Sequence, residues 1–153
     1  MLSPPPPGEF HPLAFRLPPY CGTLRCYDRC LQQLVVACDN RKAAPVLIDA
    51  SVSGTKPMTV DVFVLAEQLA AALRPIQPRM AFVWPTVASN DWNFLELVAS
   101  NRGLMHVYCA DDVRAGLDWL VSQHGSAAST EQPVLWCDLS SCCPHTSCPL
   151  VSD

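Results

Sequence analysis

Between residues 45 and 121, short apolar runs alternate with stretches of helical period. Pro45-Val46-Leu47-Ile48-Asp49, Met80-Ala81-Phe82-Val83-Trp84 and Leu104-Met105-His106-Val107-Tyr108-Cys109 have the length and branching of buried strands. Residues 59–73, 91–101 and 111–122 carry apolar positions at three- and four-residue steps and are predicted as helices. Strand–helix alternation at this spacing requires crossover connections. The expected fold class is therefore α/β, a small and mainly parallel sheet of four or five strands with flanking helices.

The flanking segments extend this pattern. Leu24, Tyr27, Leu31, Leu34, Val35 and Cys38 form one apolar stripe of a further helix, with Thr23 as its N-cap. Residues 10–17 read as an edge strand weakened by Pro12, and residues 133–136 as a second short edge strand. The helix over 59–73 is apolar nearly all round, leaving only Asp61, Glu67 and Gln68 polar after Thr59, so it is either buried on two sides or meets a partner. Gly103 suits a left-handed cap after the helix 91–101. Asp111 and Asp112 favour the positive end of the last helix, whose inner stripe is Val113, Gly116, Leu117, Leu120 and Val121. The chain thus divides into a proline-rich arm (1–20), an α/β domain (21–124) and a linker with a cysteine-rich tail (125–153).

Composition narrows the function classes. Half of the 153 residues are hydrophobic and 16% are charged, which excludes a wholly disordered chain. A net charge of −4, with Lys42 and Lys56 the only lysines, speaks against nucleic acid as a partner. No apolar run reaches the roughly 18 residues of a membrane span, and the start of the chain lacks a secretory pattern. Nine cysteines without an export signal imply free thiols and a cytoplasmic location, with Cys38 and Cys109 as small core residues.

Candidate chemistry concentrates in the loop after the first core strand. Asp49 to Asp61 joins a strand's carboxyl end to a helix N-terminus, where open α/β sheets place ligands. Asp49, Ser51, Thr59 and Asp61 are its candidate binding residues, although capping alone accounts for Thr59 and Asp61. Trp84 and Trp92 flank the next loop as candidate interface anchors, or as plugs at the ends of the core. Cys137, Cys142, Cys143, His145 and Cys148 are ligand types that suit zinc, but crowded into one cluster, and no metal site or cofactor is assigned from them. The four histidines are far apart, and Gly-x-Ser-x-Gly, Gly-x4-Gly-Lys and Gly-x-Gly-x-x-Gly are all lacking, so no catalytic residue is assigned.

Several of these segments resemble the STAS-like family, whose members are similar to bacterial anti-sigma-factor antagonists and border the Sec14-type lipid-binding domains. The resemblance is carried by Gly22-Thr23-Leu24, Pro45-Val46-Leu47-Ile48-Asp49, Arg79-Met80-Ala81-Phe82-Val83 and Val107-Tyr108-Cys109-Ala110-Asp111-Asp112, then by Ala115-Gly116-Leu117-Asp118-Trp119-Leu120. It covers roughly residues 22–121 and departs from the family before Gly22, where a hairpin should lie, and at Asp49-Ala50-Ser51-Val52-Ser53-Gly54, which lacks the family's phosphorylated serine motif. The apolar helix 59–73, Trp84 and Trp92 around the loop 85–90 and the lack of a catalytic set point to a non-enzymatic regulatory or adaptor domain with a protein partner. The alternative is a carrier of a small apolar ligand in a pocket between the sheet and the helices 59–73 and 91–101, lined by Phe63, Phe82 and Phe94.

Overall fold

In the computed structural model the described residues are 12–18, 27–41, 44–50, 59–83, 89–124 and 135–138. They form β1 (Leu13–Arg16), α1 (Asp28–Asn40), β2 (Val46–Asp49), α2 (Thr59–Leu73), β3 (Met80–Val83), α3 (Ser89–Asn101), β4 (Val107–Ala110), α4 (Val113–His124) and β5 (Leu135–Asp138). The five strands make one sheet in the order β4-β3-β2-β1-β5, and every neighbouring pair is parallel.

The distribution of helices follows from this order. Stepping from β1 to β4, the chain moves across the sheet in one direction, and right-handed crossovers then place α1, α2 and α3 on one face. The return from β4 to β5 runs the other way, so α4 belongs on the opposite face. The core agrees. Leu13, Phe15, Val46, Ile48, Met80 and Phe82 pack under Cys30 and Leu34 of α1, Leu65 and Leu69 of α2 and Leu95 of α3. Ala14, Leu47, Ala81 and Val83 pack against Leu120 of α4, with Tyr108 and Trp119 beside them. The near-continuous apolar strands of the sequence are explained by burial on both faces.

The position of α2 accounts for its unusual composition. It packs along α3 and touches α1, so Val62, Leu65, Ala66, Leu69, Ala70 and Leu73 are buried while Phe63 and Val64 are half-buried. On its outward side Val60, Gln68 and Ala71 are exposed.

Differences from the sequence reading have local causes. The expected edge strand 10–17 is an interior one: β1 lies between β2 and β5, with Leu13 N–H donating to Pro45 O at 2.8 Å and Leu17 N–H to Asp49 O at 2.9 Å. Pro12 is tolerated because it precedes the first paired residue. The expected strand 104–109 begins only at Val107. Leu104 instead completes a Schellman close of α3, its N–H donating to Ala99 O at 2.9 Å and that of Gly103 to Ser100 O at 3.0 Å. Gly103 takes φ +97°, as a left-handed cap requires. α1 starts at Asp28 with Tyr27 in the N-cap position and no side-chain cap, so Thr23 is not its cap; Thr23 and Leu24 lie outside the described residues.

The exposed edge of β4 is closed by a side chain. Glu96 of α3 accepts the Cys109 N–H at 2.7 Å, occupying a backbone donor that would otherwise invite another strand. On the other face, α4 approaches the sheet closely at Gly116, where a β-carbon would lie 2.8 Å from Leu47 Cδ1 and 3.3 Å from Ala81 Cβ. Both neighbours are fully buried and have little room to retreat. Gly116→Val is therefore expected to destabilise the fold by about 1–3 kcal/mol through overpacking, read as a lower midpoint of urea unfolding with an unchanged slope.

Candidate functional site

Three strands end on a charged residue at the carboxyl edge of the sheet: Arg16 in β1, Asp49 in β2 and Asp138 in β5. Register places Arg16 level with Asp49 on one side and with Asp138 on the other. Positions level with one another in parallel strands share a face, and Ala14 and Leu47 assign this one to the α4 side.

Asp49 is the buried charged residue of the described core, 3% exposed. An isolated carboxylate in such a place would be costly. Its Oδ2 lies 3.7 Å from Arg16 Nε, an ion pair a little longer than a hydrogen bond. The Arg16 side chain is 40% exposed and reaches from that buried anion toward solvent. Its Cζ lies 4.6 Å from the centroid of the Trp136 ring, which belongs to β5 one diagonal step away. Trp136 keeps 38% of its surface exposed. The result is a layered stack of buried carboxylate, half-exposed guanidinium and half-exposed indole. Its cation–π contact is worth roughly 0.5–1 kcal/mol at such exposure.

The expected site residues are only partly brought together. Asp49 is in the stack. Thr59 opens α2 and is exposed, and Asp61 sits half-buried in the first turn, where its carboxylate suits the positive end of the helix. Ser51 and Trp84 lie outside the described residues. Trp92 belongs to α3, and its side chain lies outside them as well. The connections after β3 and β4 leave on opposite faces, which makes the carboxyl ends of those two strands the topological switch point. There Asp112 acts as a cap, its Oδ1 accepting the Ala115 N–H at 2.7 Å.

Arg16 and Trp136 were missed by sequence reasoning because both fall in segments set apart from the domain. The signal was present: Leu13-Ala14-Phe15-Arg16 and Leu135-Trp136-Cys137-Asp138 repeat the plan of Val46-Leu47-Ile48-Asp49, a short apolar strand stopped by a charge.

The thiols divide by environment. Cys30 and Cys38 are buried, Cys109 is half-buried and Cys137 is exposed, and none of these four forms a disulfide. Among the described residues no group of three or more His, Cys, Asp or Glu side chains is placed to hold a metal ion. Cys142, Cys143, His145 and Cys148 lie outside them. Burial pushes the Cys38 pKa from 9.0 up to about 11. Cys109 is raised further, first by burial and then by the Glu96 carboxylate beside it. Among the described residues no helix is long and apolar enough to cross a membrane. The chain matches no protein-family model, no curated protein and no solved structure.

Two outcomes follow. Arg16→Met leaves the buried Asp49 without this ion-pair partner and is expected to cost about 1–3 kcal/mol, more than Trp136→Ala, as measured by chemical unfolding. The native state holds the Cys38 proton more tightly than the unfolded chain does. Stability is thus fully present below pH 9.0 and falls as pH rises through about 11. Unfolding curves across that window should show a shallower loss for Cys38→Ala than for the parent chain.

Proposed function

We propose that this chain is a non-enzymatic regulatory or adaptor domain of STAS-like kind that works by protein–protein contact at the carboxyl edge of its sheet. One observation carries the reading: the Trp136 ring, half-exposed and stacked on a guanidinium that Asp49 holds from below. Tryptophan and arginine are enriched among interface hot spots: tryptophan covers a large area with few rotatable bonds, and arginine offers a planar guanidinium that both stacks and donates. Here the arginine is already fixed on both sides, so a partner would meet a preformed surface. The resemblance is the weaker support. The described sheet is parallel throughout, and β1 pairs with β2 in the same direction, unlike the hairpin with which that family begins. Buried thiols outside any disulfide are in keeping with work in the reducing cytosol.

The carrier reading draws less support. Phe82 is fully buried within a continuous cluster that includes Leu65, Leu69 and Leu95, while Phe63 and Phe94 meet each other with centroids 6.1 Å apart. Phe82 thus packs within that cluster, and Phe63 and Phe94 pack on each other.

The test is recovery of partners from the native cell by the full chain and by Trp136→Ala, with proteins and lipids quantified together. Loss of a hot-spot tryptophan is expected to lower recovery of a true partner on the order of thirtyfold, the equivalent of about 2 kcal/mol. Equal recovery of every protein by the two chains would remove this edge from consideration, and stoichiometric lipid on both would favour the carrier.

A further inference from the structure

The outward line of α2 is made of Val60, Val64, Glu67 and Ala71 and continues to Arg74 just past the helix end, spaced by alternating four and three residues. Val60 is 57% exposed, and Ala71 and Arg74 are exposed too. Along this line, from Val64 to Arg74, runs an open groove of about 360 Å³ that Arg102 completes from beyond the end of α3. The spacing is that of a seam which receives the knobs of another helix, and the small Ala71 lets a second backbone approach.

Charge is unevenly placed along the groove. Arg102 Nη2 pairs with Glu67 Oε2 at 3.1 Å, and its Cζ lies 5.7 Å from the Phe63 ring. Arg74 Nη1 donates to Arg102 O at 3.2 Å, and among the described residues no carboxylate pairs with it. The Arg74 stem passes against Gly103, where a β-carbon would come within 2.7 Å of its Cδ. The groove therefore sets Val64 and Ala71 beside Glu67 and Gln68 and has, at its far end, a guanidinium held in place with no carboxylate paired to it among the described residues. A net charge of −4 disfavours an anionic membrane as the occupant.

We infer that this groove docks an amphipathic helix of a partner protein, with apolar side chains on Val60, Val64 and Ala71 and an acidic residue on Arg74. The inference rests on the reading of the chain as a protein-binding domain but uses the opposite face of the sheet from the Trp136 stack. An acidic residue there gains a charge-assisted pair with a cation already oriented, which fixes the direction in which the helix lies.

The probe is a synthetic amphipathic helical peptide with leucines at alternating three- and four-residue steps and glutamates beside them; its twin has lysine at each glutamate. Titrated into the isotopically labelled full chain, the glutamate peptide is expected to shift the amides of Val64, Ala71 and Arg74 and to bind on the order of tenfold tighter than its twin. Arg74→Glu should reverse that preference, and Arg74→Gln should abolish it if the reversed charge impairs folding. Trp136→Ala should leave peptide binding unchanged. Equal binding of both peptides, no shift along α2, or shifts confined to the carboxyl edge would overturn the inference. If Trp136→Ala still loses partners from the cell, the proposed function stands without it.

Discussion

Four residues of β1 hold this architecture together because each is in register with a residue on both sides, Leu13 with Val46 and Leu135 through to Arg16 with Asp49 and Asp138. A parallel strand cannot recruit its neighbour through a tight turn, so these pairings are made between segments far apart in the chain. Their loop-closure entropy has to be recovered from burial. Ala14 and Phe15 supply it on opposite faces, one toward α4 and the other toward α1 to α3. The same register puts a cation between two acidic positions at the carboxyl edge, so the sheet's hydrogen bonding and its candidate site have one origin.

The two faces solve different packing problems. Three helices share one face, and large side chains such as Tyr27, Leu65, Leu69 and Phe82 fill the thickness between helix and sheet. On the other face a single helix is drawn close by small residues: Ala14, Ala81, Ala110 and the missing side chain of Gly116. Arg79 adds an electrostatic tie, its Nη1 donating to Gln123 O at 2.9 Å near the carbonyl end of α4. Close approach rather than bulk seats α4, which is why crowding at Gly116 matters more than an added methyl on the opposite face would.

The centre of the fold was legible because its signal is local. α2 runs from Thr59 to Leu73, as the periodicity predicts, and β2 and β3 start within one residue of the expected runs. Edges were less legible. Leu104 and Met105 look like strand by hydropathy, yet Leu104 serves the helix that precedes it, through backbone bonds that no hydropathy pattern records. Gln77, at φ 53°, ties the same turn from the far side, its Nε2 donating to Arg74 O at 2.9 Å and its Oε1 accepting from Met105 N–H at 3.2 Å. The site was half legible. Asp49 was found because it ends an obvious strand, whereas Arg16 and Trp136 gain meaning only from pairing between residues some 120 apart.

The two arginine surfaces use the same side chain in opposite ways. Arg16 is neutralised by a carboxylate 5% exposed, and its remaining surface is presented together with an indole. Recognition there would depend on shape and aromatic area, because the charge is already spent within the protein and screened from a partner. Arg74 is held by a neutral carbonyl, which orients a guanidinium without cancelling its charge. Recognition there would depend on the sign of the partner and weaken as salt screens it. A domain carrying both can separate how tightly it is held from which way its partner lies. The neutralised stack suits affinity, and the uncancelled cation at the end of an apolar seam suits orientation.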